Sequence, residues 1–462
     1  MLCTIRISNL EEVRTQRARL KTAIAGGNTI SSSFPLSVCH HYSNDAGIAV
    51  SAETNYLVRY HITDFNGPAS SDFRSWLSDA KYYPWVSLAA PLHPTAATTD
   101  GRIFVTLPLP LTLQHTVINI HGIFALSRDR RSLWNPSDLK NGGPTNEITW
   151  NKFLFERVIP SVWTELLEEL ARSGQLVRQH FPLILPGSSA CGSLFENLGR
   201  NVVHQALEGN SKIWRSNLST FLALDEGYMI GSSLSAPLLD TLQELSMPIL
   251  TDIPYEWKEI IRESKHPHKV LNAEEVRRWL RTHKTVISND RTAAEILRFV
   301  IGDKLYHDLY DLPLFPCLDG QYRSLSVSNN PTTAFDKILF IGGKREIELF
   351  TCIRNQFLDL SRLDSDIMKQ IKDDITIIST VVQLKQFDLS TFRLFALSKL
   401  YSSSSFTEDE LDLNKSNIKE YKWFQSLWDW LDEHKAESIF GVVNGLYLIP
   451  LENRKLRKVV YS

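Results

Sequence analysis

The stretch 100–134, DGRIFVTLPLPLTLQHTVINIHGIFALSRDRRSLW, constrains the fold more than any other part of the chain. Asp100-Gly101 is a turn pair suited to the positive-φ positions of a hairpin. Ile103, Val105 and Leu107 alternate with Phe104 and Thr106, which predicts a largely apolar strand covered on both faces. Prolines at 108 and 110 cannot donate to a central ladder, so the Pro-Leu-Pro-Leu corner ends that strand. A second strand is expected over Val117 to Phe124, completing a central hairpin and carrying Asn119 and His121. It runs into Ser127-Arg128-Asp129-Arg130-Arg131, three guanidinium groups in four positions. A planar fork binds phosphate oxygens in pairs, so arginines on a rigid apolar scaffold suit an anion. Asn119 and His121, two apart on one strand, share a side and are placed to support the arginines by hydrogen bonds.

Elsewhere the pattern alternates between strands and helices. Met1 to Ile7 reads as a strand, Val13 to Ala23 as a short charged helix, and Tyr56 to Thr63 as a strand. Residues 24–35 and 64–72 read as loops, Ser71 to Ala80 as a short helix, and 135–148 as a loop rich in Asn, Gly and Pro. Trp150, Phe153, Leu154, Val158, Val162, Trp163, Leu166, Leu167 and Leu170 recur at three and four, predicting an amphipathic core helix kinked at Pro160. Residues 181–189, 312–321 and 446–455 each hold an apolar run, a proline and a polar turn; the prolines, 186, 316 and 450, are 130 and 134 residues apart. Each follows helix-like sequence, so three helix-to-strand units are expected, each ending in an edge strand or hairpin. Asn272-Ala-Glu-Glu275 resembles a capping box opening a helix to about His283, with Arg277, Arg278 and Arg281 on a solvated face. Ser402–Ser405 and the following Thr-Glu-Asp-Glu read as a flexible, acidic insertion.

A formal net charge of -2 implies no general attraction to nucleic acid or anionic lipid. Five dispersed cysteines without a CxxC pair suggest free thiols, no run of 18 apolar residues exists, and the N-terminus lacks a signal-peptide core. A cytoplasmic location follows as the expectation. His40-His41 and His266-Pro-His268 lack spaced partner ligands, so no metal is expected. Gly187-Ser-Ser-Ala-Cys-Gly192 departs from G-x-S-x-G, and Phe340-Ile-Gly-Gly-Lys-Arg345 lacks a full phosphate-loop frame. A capping role is preferred for the first and a glycine turn for the second.

Several blocks resemble the repeated region of sacsin and related NO VEIN-type proteins. They are Gly101–Phe104, Leu107–Pro110, Ile120–Ser127, Arg130–Trp134, Trp150-Asn151 with its helix, Leu312–Gly320, Leu446–Pro450 and Leu456-Arg457. In that family a nucleotide-binding domain of the heat-shock-protein-90 class comes first. This chain has neither the Asp-x-Gly-x-Gly turn nor the Asp-Asn-Ala magnesium motif, and Ser43–Gly47 has similar letters in another order. The resemblance implies that Arg130 or Arg131 would be the residue reaching an ATP γ-phosphate supplied with a nucleotide-binding domain.

The expected fold class is α+β or mixed α/β: a mixed sheet with covering helices in the first part, then helix-rich parts with short β-hairpins. The expected divisions are 1–195, 196–335 and 336–462. The expected function is a chaperone-like or co-chaperone scaffold for folding and quality control, with protein clients or other chaperones as partners and no cofactor of its own. Two alternatives remain. The chain is a piece of an ATP-hydrolysing chaperone in which Arg130 or Arg131 contacts the ATP γ-phosphate, with Arg128 a further candidate phosphate contact, or it is a stand-alone hydrolase or transferase.

Overall fold

A computed structural model describes residues 4–26, 29–43, 49–63, 82–93, 100–113, 116–134, 145–175, 181–186, 197–231, 234–283, 287, 289–327, 335–400, 410–413, 420–434 and 439–460. The expected loop 64–72, the helix 71–80 and the Gly187–Gly192 turn lie outside them. The protein is mixed α/β. It divides into two compact units, one made of Met1–Ile230 with Pro248–Val270 and the other of Gly231–Met247 with Leu271–Ser462. No described helix is long and apolar enough to cross a membrane.

The first unit is built on a seven-stranded sheet. Its strands are β1 (Thr4–Ile7), β2 (Ile30–Ser43), β3 (Ala49–Ile62), β4 (Trp85–Pro91), β5 (Gly101–Phe104), β6 (Pro108–Leu113) and β7 (Asn119–Gly122), in the order β1-β2-β3-β4-β7-β5-β6. Three sequence expectations change here. Residues 30–35, expected as loop, belong to β2, which pairs with β3 along its whole length. Its serines have low strand propensity, and this long cross-strand pairing overrides it. The Pro-Leu-Pro-Leu segment is itself a strand, and its prolines are tolerated because β6 is an edge. The expected central hairpin does not form: β7 pairs parallel with β5, Ile103 opposite Ile120, and antiparallel with β4. The tight hairpin is β5–β6 instead. Gly101 is needed for close approach, not for positive φ, since a Cβ there would run into the Ile118 carbonyl.

The tryptophan–leucine stripe covers this sheet. A helix over Asn146–Phe153 passes through a π turn, Leu154–Val158, into a helix over Ile159–Arg172. The π turn sits just ahead of Pro160, which lacks the N–H for a regular bond. Trp150, Leu154, Val162, Trp163, Leu166 and Leu167 are wholly buried with sheet residues such as Val86, Leu88 and Ile120. Each such side chain contributes about 1.5–3 kcal/mol over an exposed position.

Three segments repeat one backbone pattern, 210–222, 311–323 and 445–457, with offsets of 101 (210 to 311) and 134 (311 to 445). Each starts at a left-handed residue, Asn210 (φ 48°), Asp311 (φ 58°) or Gly445 (φ 82°), two positions beyond a helical segment. Asn, Asp and Gly enter that region with least strain. The first hairpin is β8 (Trp214–Arg215) with β9 (Phe221–Leu222). Between the first and second lie β10 (Tyr228–Ile230), β11 (Ile249–Leu250) and β12 (Lys269–Leu271). The second hairpin is β13 (Phe315–Pro316) with β14 (Tyr322–Arg323), followed by the parallel pair β15 (Leu339–Ile341) and β16 (Leu384–Gln386). The third joins β17 (Glu410–Asp412), β18 (Tyr447–Pro450) and β19 (Lys455–Lys458). Registers correspond: Trp214 with Leu222, Phe315 with Arg323, Ile449 with Arg457. Turn bonds correspond too, Ser216 to Thr220 (2.8 Å), Cys317 to Gln321 (2.9 Å) and Leu451 to Lys455 (2.8 Å). Two expected units, 312–321 and 446–455, are thus present. The third member is 210–222, because Phe181–Ile184 is a turn of helix.

In the second unit, the helix Ala273–His283 opens as expected, with Asn272 Oδ1 accepting from Glu275 N–H (2.9 Å). Arg277, expected on the solvated face, is fully buried. Its guanidinium donates to both Asp303 oxygens (3.1 and 2.7 Å) and to the Val300 carbonyl (2.7 Å). A buried cation is tolerable only with such a bidentate partner.

Candidate functional site: the arginine loop

Beyond β7 the chain makes a short loop whose base is the bridge between Leu126 and Leu133. Ser127 N–H donates to the Ser132 carbonyl and Arg130 N–H to the Ser127 carbonyl, both at 2.8 Å. Arg130 has φ 58°, left-handed backbone that strains a side chain with a Cβ. Asp129 Oδ1 accepts from the Ser127 hydroxyl and from Arg131 N–H, and these bonds hold its carboxyl below the ordinary range.

The loop is pinned from beneath by the first turns of the Asn146–Phe153 helix. Asn151 is fully buried; its Oδ1 accepts from Ala125 N–H (2.8 Å), while its Nδ2 donates to the carbonyls of Ala125 (2.8 Å) and Trp134 (3.0 Å). Trp150 Nε1 donates to the Ile123 carbonyl (2.8 Å). One buried amide therefore holds both ends of 125–134. Each of these groups would cost about 1–3 kcal/mol if left buried without a partner.

Arg128, Arg130 and Arg131 are exposed, and none lies within ion-pair distance of a carboxylate among the described residues. Asn119 and His121 do share a side, but they spend their polar atoms elsewhere. Asn119 Oδ1 accepts from Arg102 N–H (3.0 Å). His121 Nε2 donates to the Val105 carbonyl (2.5 Å), and its ring meets Trp85 edge-on at 4.7 Å. Burial pushes the His121 pKa down, against the pull of that carbonyl. These two tie β7 to β5. The supporting bonds around the arginines come from Ser127, Asp129 and Asn151, and sequence spacing does not connect Asn151, on a separate helix, to the loop.

A second polar cluster has no motif in the sequence. Glu165, on the long helix, accepts from Arg59 Nε (3.1 Å) and Nη2 (2.8 Å) and from the Ser31 hydroxyl; His61 Nδ1 lies 3.8 Å from its other oxygen. Ser31 and His61 are cross-strand neighbours. The serine hydroxyl donates to the carboxylate, so it is bound to an acceptor that is not an imidazole. The geometry clamps helix to sheet and does not arm a nucleophile.

At Phe340–Arg345, β15 leads through Gly342-Gly343 into the helix Lys344–Leu349, and a Cβ at 342 would meet the Phe357 ring. Ring packing accounts for that glycine. No group of three or more His, Cys, Asp or Glu side chains suited to a metal occurs among the described residues. Comparison with family models, curated proteins and solved structures finds no match.

Proposed function

We propose that the chain is a non-catalytic interaction module of protein folding and quality control, and that its arginine loop offers positive charge to an anion held by another domain or chain. The observation that carries this reading is the pairing of exposure with rigidity. Three guanidinium groups face solvent on a loop whose base is fixed by the buried Asn151. Pre-set charge of this kind acts only on a substrate that something else positions. The resemblance to sacsin-type proteins supports a phosphate as the anion and unfolded or partly folded chains as clients.

The test has two arms. In light scattering, the purified chain should suppress aggregation of a thermally unfolded client to the same extent with and without ATP, and calorimetry should show no saturable ATP binding. Failure to suppress, or hydrolysis of ATP by the chain alone, overturns the module reading. A second reading is favoured by the left-handed Arg130, kept despite its strain: the loop completes a nucleotide site in trans. A nucleotide-binding domain of the heat-shock-protein-90 class added separately should then hydrolyse ATP faster with this chain than with its Arg130→Ala/Arg131→Ala variant.

A further inference from the structure

We propose that residues 410–413 are a self-supplied ligand on a strand-accepting edge, and that this edge binds an extended acidic–apolar segment of a partner chain in their place. The difference between the second and third hairpins carries the inference, which does not rest on the arginine loop. The two share register, turn bonds and left-handed positions. The second has two strands among the described residues, and its Gly320 carbonyl accepts from Arg362 Nη1 (3.2 Å), a side chain that also stacks on Tyr322. In the third, the equivalent carbonyl of Arg454 accepts from Leu413 N–H (2.9 Å), and β17 runs antiparallel along β19. The second hairpin takes its third segment on the opposite edge, where Cys317 bridges Leu358 and Leu318 N–H donates to the Phe357 carbonyl (3.0 Å), so among the described residues a hairpin of this backbone forms without a strand on the edge equivalent to β19. The strand at 410–412 is an added occupant, and its residues report what the edge accepts.

Those residues alternate. Leu411 stands opposite Leu456, and both are buried in the core of the unit together with Leu413. Glu410 stands opposite Arg457 on the other face, with Lys455 Nζ at 3.1 Å and Arg457 Nη2 at 3.3 Å. The same face carries the exposed Ile449 and Val460, which line an open groove with Glu410 and Arg457. A ladder of backbone bonds supplies affinity, two leucine positions supply fit, and the paired cations select a carboxylate. The partner is thus an extended segment reading carboxylate, apolar, polar, apolar.

The probe is a fluorescein-labelled peptide covering Thr407–Lys415, titrated by anisotropy against the full chain. Wild type, with its edge filled, should bind weakly. Glu410→Lys, which sets a third cation against Lys455 and Arg457, and Leu411→Ser/Leu413→Ser, which removes the anchors, should each bind at least roughly tenfold tighter. Adding Lys455→Glu/Arg457→Glu to the serine variant should reverse the gain, and a peptide with Lys in place of Glu410 should restore it. Hydrogen exchange at the Leu456 amide should rise in the emptied variants and fall again with peptide. No binding to the folded Glu410→Lys chain, or binding indifferent to the charge reversal, overturns the proposal. If the serine variant does not fold, the Glu410→Lys chain with and without the charge reversal decides the same question.

Discussion

Arg277 and the arginines at 128, 130 and 131 carry one chemical group in opposite settings. Arg277 is fully buried and gripped at both nitrogens by Asp303; the other three stand in solvent on a loop whose backbone, not whose charge, is held. The difference separates two uses of a guanidinium. A buried one organises the fold, its two terminal nitrogens engaged by Asp303 and the Val300 carbonyl, whereas exposed ones on a fixed base, with no carboxylate within ion-pair distance among the described residues, present their donors to solvent.

The largest effect should come from breaking the buried member. Arg277→Ala leaves Asp303 and the Val300 carbonyl without their donor and should lower unfolding free energy by about 3–5 kcal/mol in urea titration. A variant as stable as wild type would erase the contrast. Next comes the base of the loop. Asn151→Ala strands Ala125 N–H and the Trp134 carbonyl, while the Ala125 carbonyl keeps the Trp134 N–H (3.1 Å), so a loss of about 2–3 kcal/mol is expected, with faster exchange at Ala125.

Acid provides a milder test. The His61 pKa is held below the ordinary value by burial first, with Arg59 acting the same way and Glu165 opposing; the His121 pKa is also pushed down by burial. The unfolded chain therefore binds protons that the folded chain refuses. Stability is full above about pH 6.5 and is lost as pH falls from there toward the folded values. The urea midpoint should drop between about pH 7.5 and about pH 5.5, and less so in His61→Gln/His121→Gln. The smallest effect sharpens the comparison most. Arg130→Gly relieves left-handed strain and should raise stability by roughly 0.5–1 kcal/mol while lowering the stimulation of ATP hydrolysis by a separately added nucleotide-binding domain. A loss of stability in Arg130→Gly would show instead that the arginine serves the fold.

Much of this was legible from residue spacing. The stripe from Trp150 to Leu170, the cap at Asn272 and the 134-residue interval between prolines 316 and 450 all correspond to built features, because each depends on local periodicity or a turn residue. The first hairpin escaped because it has Arg215 where the other two carry Pro316 and Pro450, and Ser219 where the second carries Gly320. Burial of Arg277 depends on Asp303, 26 positions away, a pairing that no window along one helix contains. The serines of β2 read as loop because their partner strand, not their own propensity, decides them. The arginine cluster was visible as a run of charge, but the asparagine that fixes it lies on another element.

The placement of Pro108 and Pro110 has a consequence for crowded solution. They lie on β6, one margin of the seven-stranded sheet, where a ring nitrogen offers an incoming chain no hydrogen to share. The opposite margin, β1, has no such block. Endless stacking of copies through this sheet requires two receptive borders, and one is shut. Chain-to-chain growth of this sheet is therefore expected to be disfavoured at the β6 margin.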